Sequence, residues 1–142
     1  MIGILRIPKP AILVPIAALL VASQSPTTES GEGVLCLGTF VYFVEKTGQQ
    51  CRIGENPEFQ ARISAYVRRF DAYITRNAEG GSETLERLKE SQNLNVTDPE
   101  YICEGDVASA YDHFKAQDAE ELDRAIDELL AHDGPPRWGD CV

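Results

Sequence analysis

Five apolar residues, Phe59, Ile63, Tyr66, Phe70 and Tyr73, stand alternately four and three positions apart. That spacing draws one continuous stripe along a helix and none along a strand, whose side chains alternate every second residue. The run also carries its own start signal. Asn56 offers a cap, Pro57 fits the first helical position, where no N–H is needed, and Glu58 faces the positive end of the helix dipole. The pattern predicts a helix reaching about Asn77, ahead of Gly80-Gly81. An amphipathic helix must bury its stripe against something, and the remaining sequence offers mainly other helices.

Downstream, Ser82 is expected to cap a shorter helix carrying Leu85 and Leu88. Thr97-Asp98-Pro99-Glu100 reads as a capping box, and the helix after it places Ile102, Val107, Tyr111 and Phe114 on a core face. A second box, from Asp118 to Glu121, opens a last helix with Leu122, Ile126, Leu129 and Leu130 inward; Gly134-Pro135-Pro136 ends it. Upstream, VLCLGTFVYFVEKTGQQC begins at Val34 with residues that suit a strand, yet its length and the spacing Leu37, Phe40/Val41, Val44 suit a buried helix. It is read as the central core helix, running to about Thr47 and stopped by Gly48. The expected fold is all-α: a small disulfide-stapled bundle of about five helices in one domain over residues 34–142. Residues 24–33, QSPTTESGEG, read as a flexible spacer.

The start of the chain has a different character. Arg6 and Lys9 precede an apolar run at residues 11–21, which ends in small residues. That is the layout of a secretory signal peptide, with cleavage expected after Ser23. The run is too short to cross a bilayer, which takes about 20 residues, and Pro15 interrupts it. The expected location is therefore periplasmic or extracellular, with no stable membrane insertion after cleavage. All four cysteines, Cys36, Cys51, Cys103 and Cys141, follow the cleavage point. An even number in a short exported chain reads as two disulfides. Their spacing matches no zinc, haem or CxxC motif, so no metal or other cofactor is expected. Cys36–Cys51 is disfavoured. Cys36 starts the first helix and Cys51 lies past its far end, roughly 16 Å away, whereas bonded Cα atoms sit about 5.5 Å apart. Pairings through Cys103 and Cys141 stay open.

Removing the leader takes two of 13 basic residues and none of 23 acidic ones, leaving 11 against 23 and a net charge of −12. Nucleic acid and anionic membranes would repel such a surface. The arginines have a pattern: Arg62, Arg69 and Arg76 recur every seven residues beside the apolar stripe, with Arg68 added. From Asp98 to Asp133 acidic residues dominate, opposed only by Lys115 and Arg124. The plainer expectation is that the arginines line a seam between helices and pair with those carboxylates. The sharper one is that acidic helices meet a basic protein partner, with Glu120, Glu121, Asp123, Asp127 and Glu128 as candidate contacts.

Little in the sequence has a catalytic layout. GxSxG, HExxH and phosphate-cradling glycine loops are missing, and no cysteine neighbours a histidine. Asp112 and His113 are adjacent, but neighbours on a helix point about 100° apart and do not share a proton easily. His132 falls where a helix C-terminus favours a cation. No calcium loop of the DxDxDG type is present. Asn95-Val96-Thr97 is a glycosylation sequon in a eukaryotic setting. The reading is a small exported acidic protein that acts by protein–protein binding, in one form an inhibitor or immunity protein that blocks a secreted enzyme. The alternative is an envelope hydrolase using surface carboxylates.

Cys36-Leu37-Gly38, an aromatic soon after, and Cys51 ahead of a helix are similar to the periplasmic immunity proteins that neutralise type VI secretion amidases. The similarity covers under a third of the chain, and its motif is short. It implies an exported inhibitor, and the long acidic second half departs from that family's pattern. No functional residue is carried over.

Overall fold

The computed structural model describes residues 29–140. The expected signal peptide, the first part of the spacer and Cys141 lie outside them. Among the described residues there are six helices and no strand: α1 (Val34–Cys51), α2 (Pro57–Asn77), α3 (Ser82–Ser91), α4 (Pro99–Cys103), α5 (Gly105–Ala116) and α6 (Ala119–Leu130). The all-α bundle is as expected. α1 is the hub, with α2, α4 and α5 packed around it, while α3 and α6 pack on α2. None of these helices is long and apolar enough to cross a membrane.

The stripe on α2 behaves as its spacing requires. Ile63, Tyr66, Phe70 and Tyr73 are buried, Phe59 half-buried, and Val67 and Ile74 widen the face. From α1 come Val34, Val41, Tyr42 and Val44, from α3 Leu85 and Leu88, from α5 Tyr111 and Phe114, and from α6 Ile126. Fully burying each such side chain is worth about 1.5–3 kcal/mol against leaving it exposed. No buried side-chain polar atom among the described residues lacks a hydrogen-bond partner.

Several boundaries differ from expectation, each for a local reason. Gly48 does not stop α1, which continues to Cys51. It is a close-approach position instead: a Cβ there would stand 3.1 Å from Gln60 Cδ and 3.2 Å from the Tyr111 ring. The helix expected after Thr97 is two helices. Glu104 is extended (φ −126°, ψ 164°) and Gly105 has φ +63°, so the chain breaks between α4 and α5. The cap of α4 is Asp98 rather than Thr97; its carboxylate accepts from Glu100 N–H at 3.0 Å. Asn56 precedes α2 in the left-handed region and makes no side-chain cap bond, and Gly81 rather than Ser82 holds the cap position of α3. Asp118 caps α6 as expected, accepting from Glu121 N–H at 2.9 Å.

Part of the predicted spacer is built into the body. Gly31 and Gly33 are buried, and Arg137 N–H donates to Gly31 O at 2.9 Å while Leu35 N–H donates to Arg137 O at 3.0 Å. The stretch after α6 thus runs back along the entry to α1. Tyr73 fixes it from below, donating to the carbonyls of His132 and Gly134 at 3.0 Å each.

Cys51 pairs with Cys103, their Cα atoms 5.5 Å apart across a sequence separation of 52. The bond ties the end of α1 to the end of α4. Cys36 is also disulfide-bonded. Cys36 and Cys51 are therefore not partners, in line with the helix-length argument.

Candidate functional site

The heptad of arginines makes the seam expected of it. Arg69 meets Asp127 at 2.7 Å, Arg76 meets Asp133 at 2.9 Å, and Arg62 approaches Asp123 at 4.0 Å. The Tyr66 hydroxyl donates to Asp123 as well. The repeat works because seven residues on α2 advance about 10.5 Å along one side, so each arginine reaches a new position on α6 and the turn beyond it. Hydrogen bonds from Arg76 and then Asn77 hold the Asp133 carboxyl below the usual range. Burial, reinforced by the Asp123 carboxylate, pushes the Tyr66 phenol up.

Two of the five candidate contacts, Asp123 and Asp127, are thus engaged in this seam. Glu120, Glu121 and Glu128 are exposed. Glu121 meets Arg124 of its own helix at 3.7 Å, and both side chains face solvent.

A second, half-buried polar cluster lies between α1, α2 and α3. The Tyr42 hydroxyl donates to Asp71, Lys89 stands 3.4 Å from the same carboxylate, and the Lys89 ammonium lies 5.5 Å from the centre of the Tyr42 ring. Burial and the Asp71 carboxylate raise the Tyr42 phenol. Nearby, Lys46 donates to the carbonyls of Leu94 and Val96, and burial lowers its pKa. Lys46 thereby holds the 92–97 loop, and Tyr42, Lys46 and Lys89 line an opening of about 220 Å³.

A roomy opening lies on another side. A groove of about 660 Å³ is floored by Leu37 and Phe40 of α1. One wall is α5, with Asp106, Ser109, Ala110, His113 and Phe114; the other is α6, with Leu122 and Ala125. Gln117, at the joint between the two helices, stands 3.0 Å from His113 Nε2 in hydrogen-bond contact. Phe40 is 44% exposed here, although the sequence spacing had placed it with the core. Val41 takes the buried place, and adjacent residues on a helix cannot share one face.

The carboxylates do not form a facing pair in this groove, which only Asp106 lines. A smaller depression of about 130 Å³ near the end of α6 is bordered by Glu29, Glu32, Glu128 and His132. Glu29 is tied there to Arg137. Asp112 is turned to Arg52 at 3.5 Å rather than to His113. Among the described residues no three His, Cys, Asp or Glu side chains are grouped to hold a metal ion. Compared with known protein families, curated proteins and solved structures, the chain matches none.

Proposed function

We propose that this is an exported acidic helical protein that acts by binding another protein through the groove between α1, α5 and α6. One observation carries the reading: a large aromatic side chain, Phe40, is left 44% exposed on the floor of an apolar groove. Apolar surface gathered in one concave place is characteristic of recognition, whereas scattered exposed residues are not. Export is supported by the disulfide-bonded state of Cys36, Cys51 and Cys103, which suits an oxidising compartment. The hydrolase alternative is less well supported, because the roomier groove offers one carboxylate.

Site-specific photocrosslinking in the producing cells tests the reading. A benzophenone residue at Phe40 is expected to give a discrete adduct with another protein, and the same residue at Arg87, on α3, is expected to give none. Equal labelling from both sites, or adducts from neither, would overturn the binding reading. For the inhibitor form, the crosslinked partner is an enzyme whose activity falls on addition of the wild-type protein. Intact mass of the exported chain, alkylated without reduction, is expected to begin near Gln24 and show no added alkyl groups.

A further inference from the structure

α6 has two flanks, and the sequence treats their charges differently. On the flank toward α2, Asp123 and Asp127 are matched by Arg62 and Arg69. At 100° per residue, the opposite flank carries Leu122 and Ala125, which line the groove, edged by Glu121, while Leu129 and Glu128 farther along border the smaller depression. Glu128 has no ion-pair partner among the described residues, and Glu121 has only the solvent-facing Arg124 of its own helix. Across the groove Asp106 is likewise without a cation, and neither lysine nor arginine lines the opening. The groove therefore has negative charge in its wall at Asp106 and at its edge at Glu121, and the molecule offsets it only through the exposed Arg124.

The shape is as particular as the charge. α5 and α6 diverge from the joint at residues 117–118 and make little direct contact, which leaves a V-shaped trough above Leu37 and Phe40. Alanines line both walls, Ala110 on α5 and Ala125 on α6, so an incoming backbone can approach closely. Each wall is a helix of 12 residues, about 18 Å long. A trough of this kind takes an amphipathic helix by its apolar face. A second copy of the chain is a poor occupant, since two surfaces each carrying 11 basic against 23 acidic residues repel.

We infer that the trough between α5 and α6 seats a basic amphipathic helix of a partner protein, its apolar stripe on Phe40, Ala110 and Ala125 and its cationic flank against Asp106 and Glu121. This rests on the binding reading above and adds the chemistry of the occupant.

Two synthetic peptides of about 14 residues, long enough to cover the trough, provide the probe. Both carry the same leucine stripe; one has lysine and arginine on its flanks, the other glutamate. Binding is followed by fluorescence anisotropy, and the contact is mapped by methyl NMR on Leu37, Ala110, Leu122 and Ala125. The basic peptide is expected to bind with shifts at those methyls, and Asp106→Asn/Glu121→Gln is expected to weaken it about ten-fold. Both residues are exposed, so the melting temperature of that variant should stay at the wild-type value. If both peptides shift the trough methyls with equal affinity, the groove still binds and the basic occupant is wrong. If neither does, or if the shifts map elsewhere, the groove reading falls with it. Concentration-dependent shifts of the trough methyls without peptide would make a second copy the occupant and overturn the inference. Shifts on removing residues 1–23 from the full chain would overturn it in favour of the chain's own leader.

Discussion

Three phenols, Tyr42, Tyr66 and Tyr73, are raised above their ordinary value of 10.0, in each case chiefly by burial and then by a neighbouring carboxylate. A phenol with a raised folded pKa favours the fold while neutral. Its contribution is whole below about pH 10, the unfolded value, and is lost as pH rises through the higher folded one. Tyrosinate absorbance at 295 nm is thus expected to show these three ionising together with the loss of helical ellipticity. Ionisation well before that loss would count against their burial. Asp133 runs the other way. Its lowered pKa stabilises the fold above the usual carboxylate value of 3.8, and that contribution goes as pH falls through the folded value. Asp133→Asn should flatten the acid limb of a plot of melting temperature against pH. At Gly38 the question is space: a Cβ would stand 3.0 Å from the buried Phe70 ring, the contact that lets α1 lie close to α2. Gly38→Ala gains helix propensity of about 1 kcal/mol but overpacks the core by about 1–3 kcal/mol. A net loss is expected in urea unfolding, and an unchanged midpoint would show that Phe70 can yield.

Between helices, the seam of α2 and α6 sets register more than stability. Arg69 and Asp127 are 39% and 67% exposed in their side chains, so solvent screens the pair. A double-mutant cycle of Arg69→Ala and Asp127→Ala is expected to give a coupling of about 0–1 kcal/mol that fades in high salt. A larger, salt-independent coupling would mean that the pair is effectively desolvated. This seam was legible from the seven-residue arginine spacing because both partners lie on regular helices, where sequence period and geometry correspond. So were the α2 stripe and the Asp118 cap. The break at Glu104 and Gly105 was not, because the residues before and after it keep a helical pattern. Gly48 misled for a different reason: its neighbours Gln60 and Tyr111 belong to other helices, and nothing local announces them. The same holds for the groove. Phe40 and Val41 compete for one face, and the spacing admits either until the positions of α5 and α6 are known. Counting carboxylates likewise could not separate Asp123 and Asp127, which face α2, from Glu121 and Glu128, which do not.

Across the whole molecule the covalent links matter most. Cys51–Cys103 closes a loop with a sequence separation of 52, which in the chain-entropy picture is worth about 4 kcal/mol. Cys51→Ser/Cys103→Ser should therefore lower the unfolding free energy by roughly that amount, with helical content retained at low temperature. A loss under about 1 kcal/mol would mean that the unfolded chain is already compact there. With Cys51 and Cys103 joined and Cys36 also bonded, a non-reducing peptide map is expected to recover Cys36 linked to Cys141. Recovery of Cys36 as a mixed or intermolecular disulfide would exclude that link.

The backbone bonds that join Gly31 and Leu35 to Arg137 have a consequence in time. The entry to α1 can be completed only after Arg137 has left the ribosome, long after Gly31 and Leu35. Tyr73, in the middle of the chain, waits for the same stretch. A nascent chain of this design lacks its closing clasp until those residues have been made, whatever its helices do beforehand. If the chain is exported as proposed, that ordering would delay closure until the sulfurs can be oxidised.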